Sequence, residues 1–170
     1  MPSLDTIPQI TQDFAQLKQL LYDTVLELKA QAVLEIGTDV GDSTRIFATA
    51  LRETGGHLWT VDLVAPKWPE GWLTPYPNVT LLTCDSLLLP WEVTVDLLFL
   101  DGNHDKDHVA QELEKFGKWV RSHGQILVHD TIHNEFGEGI RSVAVEYARQ
   151  HGYGWMNHQI QHGLGVIDVR

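Results

Sequence analysis

Residues 33–44 read VLEIGTDVGDST, and the fold turns on how this stretch is parsed. Ala32-Val33-Leu34-Glu35-Ile36 is a short apolar run, β-branched at two positions, with the length of a buried strand. Gly37 supplies a backbone that bends without a Cβ clash, and Asp42, Ser43 or Thr44 can cap the helix that follows. A strand, a glycine turn and a helix start in this order can bind a ligand: the glycines let it approach the main chain, and the unpaired amides of the helix N-terminus complement polar or negative groups. The same pattern also describes an ordinary strand-to-helix junction.

The pattern repeated down the chain separates the two readings. Apolar runs end in an acidic residue at Glu35 (AVLEIG), Asp62 (LWTVD), Asp85 (VTLLTCD), Asp101 (VDLLFLD) and Asp130 (QILVHD). As parallel strands, these runs gather their carboxylates at one edge of the sheet, where open α/β folds bind ligands. Carboxylates crowded there repel unless a cation, hydroxyls or amides compensate them, so packing alone is a poor reason for five of them.

Between the runs the periodicity changes to that of helices. Phe14, Leu17, Leu20, Leu21, Val25 and Leu28 predict one amphipathic helix over about 11–29, packed on or over the sheet. Ile46, Phe47, Ala50 and Leu51 continue a helix that Gly55-Gly56 ends. Val109, Leu113, Phe116, Trp119 and Val120 predict a helix over 106–120 closed by Gly124, and a further helix covers about 140–150. Strands are predicted at 57–63, 79–85, 95–100 and 125–129, with a hairpin from 154–160 and 164–169 around Gln161-His162-Gly163. Residues 65–78 hold Pro66, Pro69, Pro75 and Pro77 with Trp68, Trp72 and Tyr76 between them, which excludes a long helix. Such an aromatic loop either forms its own small core, the reading favoured here, or walls a ligand pocket. The alternation gives an α/β doubly wound sheet of about seven strands, mostly parallel, with one antiparallel strand at the end.

The chain has 170 residues, enough for one domain (1–31 an N-terminal helical segment, 32–170 an α/β core) and short for a cofactor enzyme with its own substrate domain. A formal net charge of −11 argues against nucleic-acid or anionic-membrane partners and suits a small neutral or cationic ligand. Cys84 is the only cysteine and sits in an apolar run, which reads as a buried thiol in a reducing cytoplasm. No basic leader followed by an apolar stretch opens the sequence, and no run approaches bilayer length. The short chain and exposed terminal hairpin leave room for a homodimer.

With these motifs in view, the chain from Ala32 to Arg170 resembles the class I S-adenosylmethionine-dependent methyltransferases, whose Rossmann-like sheet also ends in an antiparallel hairpin. Glu35-Ile36-Gly37-Thr38-Asp39-Val40-Gly41 looks like that family's acidic-x-Gly-x-x-x-Gly cofactor loop. FLDGNH (99–104) followed by GQILVHDT (124–131) is similar to the cephalosporin hydroxylase-like and macrocin-type O-methyltransferases and, more distantly, to catechol O-methyltransferases. The resemblance implies a single S-adenosylmethionine-binding methyltransferase domain acting on a hydroxyl of a small molecule. It implies cofactor contacts at Glu35, Gly37, Thr38, Gly41, Ser43, Thr44, Asp62, Leu63, Asp85, Ser86 and Asp101, with Asp62 on the ribose and Asp85-Ser86 near the adenine. It also implies Asp101 and Asp130 as ligands of a divalent cation such as Mg²⁺, and His104 as the general base. The chain departs from the pattern at His129 and Asn103, where metal-dependent relatives carry acids.

In-line methyl transfer from a sulfonium to oxygen needs alignment of donor and acceptor, exclusion of water and activation of the hydroxyl. His104 or a cation on Asp101 and Asp130 can supply the activation. His104 has a bland alternative as a helix-start residue beside Asp105 and Asp107. His129 reads as a core histidine, because strand alternation directs it away from Asp130; His108 and His133 are candidates for the pocket entrance. Three other functions compete. An NAD(P)-dependent oxidoreductase would want G-x-G-x-x-G, whereas this loop offers only Gly37 and Gly41. The others are a metal-dependent hydrolase and a non-catalytic S-adenosylmethionine-binding protein.

Overall fold

The computed structural model describes Ile7, Ile10 and residues 12–170, with backbone only at 12 and 13. Seven strands, β1 (Ala32–Ile36), β2 (His57–Asp62), β3 (Val79–Thr83), β4 (Val95–Leu100), β5 (Val120–His129), β6 (Gly154–His158) and β7 (Leu164–Asp168), form one sheet. Its order is β3-β2-β1-β4-β5-β7-β6, with β7 antiparallel to both of its neighbours, β5 and β6, and the other pairs parallel. This is the doubly wound α/β architecture expected from the alternation. The helices are α1 (Gln12–Ala15), α2 (Lys18–Leu28), α3 (Asp42–Thr54), α4 (Lys106–Phe116) and α5 (Gly137–His151).

Strand alternation builds two cores. Val33, Leu58, Leu97 and Phe99 face α2 and α3, while Leu34, Val61, Leu98 and Leu100 face α4 and α5. Phe99 is fully buried and meets Phe47 of α3 edge-on at 5.3 Å, a contact whose truncation to alanine costs about 3–5 kcal/mol. From β1 the chain winds outward through β2 to β3 and then returns to β4 on the other side of β1. That reversal opens a crevice at the C-terminal ends of β1 and β4, the position where such sheets take ligands. Among the described residues, no helix is long and apolar enough to cross a membrane.

Three boundaries differ from the sequence expectation. The N-terminal helix is broken: α1 ends at Ala15 and α2 starts at Lys18, with Leu17 fully buried at the break and Phe14 turned toward the His129 ring at 5.4 Å. Thr11, where the single helix was to begin, lies outside the described residues. The helix expected to reach Val120 stops at Phe116, and after one 3-10 turn (Gly117–Trp119) β5 begins at Val120, five residues early. Gly124 is therefore inside a strand and not a helix stop. The register against β4 jumps from Val95↔Val120 to Leu97↔Gln125, His123 turns to φ 62°, and a Cβ on Gly124 would lie 2.6 Å from the Asp96 carbonyl. Finally, β2 and β3 stop at Asp62 and Thr83, which leaves Leu63, Cys84 and Asp85 in the loops above the sheet. Cys84 is consequently half-buried and not a core thiol.

Candidate active site

Gly37 turns the chain sharply out of β1 at φ 98°. A Cβ there would sit 2.2 Å from the Asp101 carbonyl, so only glycine lets β1 and β4 end so close together. Asp62, at the end of β2, holds the loop that follows: Oδ2 accepts the amides of Thr38 and Asp39 at 2.9 Å each, and Oδ1 accepts the Val64 amide at 3.1 Å. Gly41, at φ 84°, is covered by the Trp72 ring.

A cavity of about 1160 Å³ lies above these strand ends. Of the residues expected at the cofactor, Gly37, Asp62, Leu63, Asp85, Ser86 and Asp101 are on its wall. Thr38 and Gly41 stand just behind it, with Thr38 2 % exposed. Glu35, Ser43 and Thr44 are placed differently: all three are buried between the sheet and α3, off the cavity wall. Thr44 Oγ1 donates to Glu35 Oε2 at 2.6 Å. Burial pushes the Glu35 carboxyl up to about 7, against the pull of the Ser43, Thr44 and Thr60 hydroxyls. These residues brace the loop from below.

The aromatic loop does more than form its own core. Tyr76 is buried, but Trp68 and Trp72 stack at 3.9 Å and both line the cavity. Trp68 Nε1 donates to the Val40 carbonyl at 3.1 Å, which ties this wall to the glycine loop.

At the β4 and β5 ends four groups converge. His129 Nδ1 is 2.9 Å from Asp101 Oδ1, and His104 Nε2 is 3.0 Å from Asp130 Oδ2. His129 thus belongs to the acidic cluster, contrary to the alternation argument. Asp130 has left the strand with φ 61°, which brings its carboxylate back to within 3.6 Å of the His129 ring. Burial pushes the Asp101 carboxyl up, opposed by the His129 hydrogen bond. Burial is the largest influence on Asp130 and acts in the same sense, but the bond from His104 and the charges of His129, His104 and His162 together outweigh it and the carboxyl is lowered. His104 is in turn raised by Asp130, against partial burial. Its ring stacks on Phe136 at 4.3 Å, and Phe136 stacks on His133 at 3.9 Å. His133 therefore supports the cluster without lining the cavity, whereas His108 does line it.

The cavity wall also contains Glu112, which sequence reasoning missed. It is 1 % exposed and bonded to Ser86, and burial raises its carboxyl. Its position beside the apolar stripe of α4, one turn after His108, was the available signal.

Among known proteins, a methyltransferase-domain family model matches residues 34–131, more than half of the chain. Solved structures share the fold. SAH-bound methyltransferase PaMTH1 from Podospora anserina superposes with a TM-score of 0.76 at 17% identity, covering 91% of this chain and 78% of that one. The O-methyltransferase TomG from Streptomyces achromogenes, in complex with SAM, gives 0.69 at 19% identity and 95% and 81% coverage. An O-methyltransferase from Bacillus cereus in complex with SAH gives 0.64 at 18% identity and 98% and 86% coverage. The family match spans the glycine loop, the Asp101 strand end and Asp130, and the chain belongs to the methyltransferase-domain family.

Proposed function

We propose that the chain transfers the methyl group of S-adenosyl-L-methionine to a hydroxyl of a small molecule. The observation that carries this reading is one cavity running from Gly37 and Asp62 to Asp101 and His104. Its first end suits a ribose and its second an acceptor that must lose a proton. Acidic side chains at Asp62, Asp85 and Asp101 give the pocket a potential that favours a sulfonium. Trp68 and Trp72 wall off water beside the glycine loop, and a single cavity of this size has room to align donor and acceptor.

His104 takes the hydroxyl proton. Its Nε2 faces Asp130, so the neutral tautomer donates from Nε2 to that carboxylate and keeps the lone pair on Nδ1 for the acceptor. Asp130 then stabilises the imidazolium, which is why the base is stronger than an isolated histidine.

Asp101, His104 and Asp130 also fit a divalent cation, each offering a ligand atom within 4.8 Å of the others. Two carboxylates alone suit Mg²⁺ or Mn²⁺, direct ligation by the His104 imidazole moves the preference toward Mn²⁺, Fe²⁺ or Zn²⁺, and the His129 bond orients Asp101 as an outer partner of a metal ligand does. A cation bound there would lower the acceptor hydroxyl's pKa and orient it. Mn²⁺ binding followed by paramagnetic resonance, with Asp101→Asn as control, tests this fit apart from turnover.

The activity test is transfer of labelled methyl from S-adenosylmethionine to a panel of phenols, catechols and sugars. Product that disappears in His104→Ala supports the reading. Absence of S-adenosylmethionine binding by the folded protein overturns it.

A further inference from the structure

His104 sits on the turn between β4 and α4, where its chain neighbours are engaged elsewhere: Asn103 Oδ1 accepts the Asp105 amide at 2.8 Å, and Asp105 caps α4 through the Asp107 and His108 amides. The His104 side chain is 43 % exposed. What holds its imidazole comes from the loop between β5 and α5. That loop is folded on itself, with the His133 amide on the Asp130 carbonyl at 3.2 Å and the Gly137 amide on the His133 carbonyl at 2.9 Å. It starts at Asp130 and ends at Phe136, and both of these reach His104. Asp130 Oδ2 takes the edge of the ring at Nε2, 3.0 Å away, and Phe136 takes its face, with centroids 4.3 Å apart and the planes within 11°.

The two contacts restrain different motions. A hydrogen bond at Nε2 fixes one atom and leaves the ring free to turn about it, whereas a stack fixes the plane of the ring and lets it slide. Together they fix the direction of Nδ1. Phe136 has no face left for the acceptor: His133 stacks on its far side at 3.9 Å and 6°, and the Glu135 amide holds His133 in turn by donating to Nδ1 at 3.3 Å. Nor is the Phe136 ring on the cavity wall, and the buried stripe of α5 is carried by Ile140, Ala144, Tyr147 and Ala148.

We infer that Phe136 is a positioning residue for the base: its ring, backed by His133, sets the plane of the His104 imidazole while Asp130 sets its edge, so that Nδ1 is aimed before the acceptor arrives. The inference rests on the methyl-transfer reading above, in which Nδ1 takes the acceptor's proton. A half-exposed histidine on a turn otherwise samples several rotamers, and a displacement of about 1 Å at the reacting atoms can cost about 10²-fold in rate. Phe136 acts through His104 and touches neither donor nor acceptor.

The test compares the full chain as wild type, Phe136→Leu and Phe136→Tyr by nuclear magnetic resonance without ligand and by turnover. Three-bond couplings from the backbone nitrogen and carbonyl carbon to His104 Cγ are expected to report one χ1 rotamer in the wild type and in Phe136→Tyr, which keeps the ring. Averaged couplings are expected in Phe136→Leu, which keeps apolar bulk and loses the flat face. With labelled S-adenosylmethionine and whichever phenol, catechol or sugar the wild type methylates fastest, Phe136→Leu is expected to lower kcat by about 10- to 100-fold at unchanged KM for S-adenosylmethionine, and Phe136→Tyr to restore it. In a His104→Ala background, with no base to position, the effect of Phe136→Leu is expected to shrink below about 2-fold. Melting reports whether Phe136→Leu is folded; if it is not, Phe136→Met takes its place. A single rotamer in Phe136→Leu, or a loss of the same size with and without His104, overturns the positioning role. Absence of S-adenosylhomocysteine binding by the wild type overturns the methyl-transfer reading instead, and the couplings still decide whether Phe136 holds the ring.

Discussion

Glu35 and Asp101 stand near the ends of neighbouring strands, Glu35 fully buried and Asp101 half-buried, and they serve opposite ends. Glu35 pairs in register with Phe99, one position inside the ladder, so alternation turns it into the core between the sheet and α3. Hydroxyls are its hydrogen-bond donors, and its carboxyl rises to about 7. Asp101 is one residue past the end of β4, where the chain opens into the crevice, and there His129 meets it at 2.9 Å. An acid near a strand end is thus a brace or a site depending on a single position along the chain. Gly37 joins the two, because its missing side chain lets the Glu35 strand turn against the Asp101 carbonyl.

The sharpest way to break this contrast is at the base. His104→Ala should lower kcat by about 10²–10⁴-fold while the half-exposed position leaves folding intact. Because Asp130 raises His104 above its ordinary 6.5, the acid limb of kcat/KM in the wild type should lie above pH 6.5. Asp130→Asn should move that limb to lower pH and reduce the plateau, whereas Glu35→Gln should leave its position unchanged. A limb indifferent to Asp130→Asn would remove the histidine–carboxylate pair from the mechanism.

Gly37→Ala tests the join between the two regions. A Cβ at φ 98°, 2.2 Å from a main-chain carbonyl, should cost about 3 kcal/mol or more in urea unfolding. A neutral result would mean that the turn relaxes and that β1 and β4 are not held by it.

Glu35→Gln reads the brace itself. The unfolded carboxyl titrates near 4.5 and the folded one near 7, so between those values the folded chain retains a proton that the unfolded chain releases. Wild-type stability should therefore fall as pH rises from 4.5 to 7 and stay reduced above, by about 3 kcal/mol from this group. The amide has no such loss: it should be the more stable form at pH 8, with the advantage gone near pH 4.5. The smallest expected effect is Asp62→Ala, which should weaken S-adenosylhomocysteine binding by about 10- to 100-fold through loss of the clamp on the Thr38 and Asp39 amides and of the ribose contact proposed for this carboxylate.

The strand runs, their helical connections and the terminal hairpin were readable because alternation and helical period leave the same trace whatever the tertiary context. The cavity-lining acids at Asp62, Asp85 and Asp101 were readable for the same reason. His129 was not, since the alternation rule assumes that the strand continues, and Asp130 abandons it at φ 61°. Gly124 misled because a glycine after an apolar stripe signals a helix stop, while here it admits the Asp96 carbonyl inside a bulged strand. Glu112 resembles a solvated helix charge, and only the docking of the Ser86 turn against α4 buries it.

Thermal unfolding with S-adenosylhomocysteine, against NADH as control, addresses the central claim most directly. At about 100 times its dissociation constant a ligand adds roughly 2.7 kcal/mol, which should raise the midpoint of a chain this size by roughly 5–10 °C. A shift of that size with S-adenosylhomocysteine and none with NADH is the expected result. No shift with S-adenosylhomocysteine would contradict the methyl-transfer account, and a shift with NADH instead would assign the cavity to a nicotinamide cofactor.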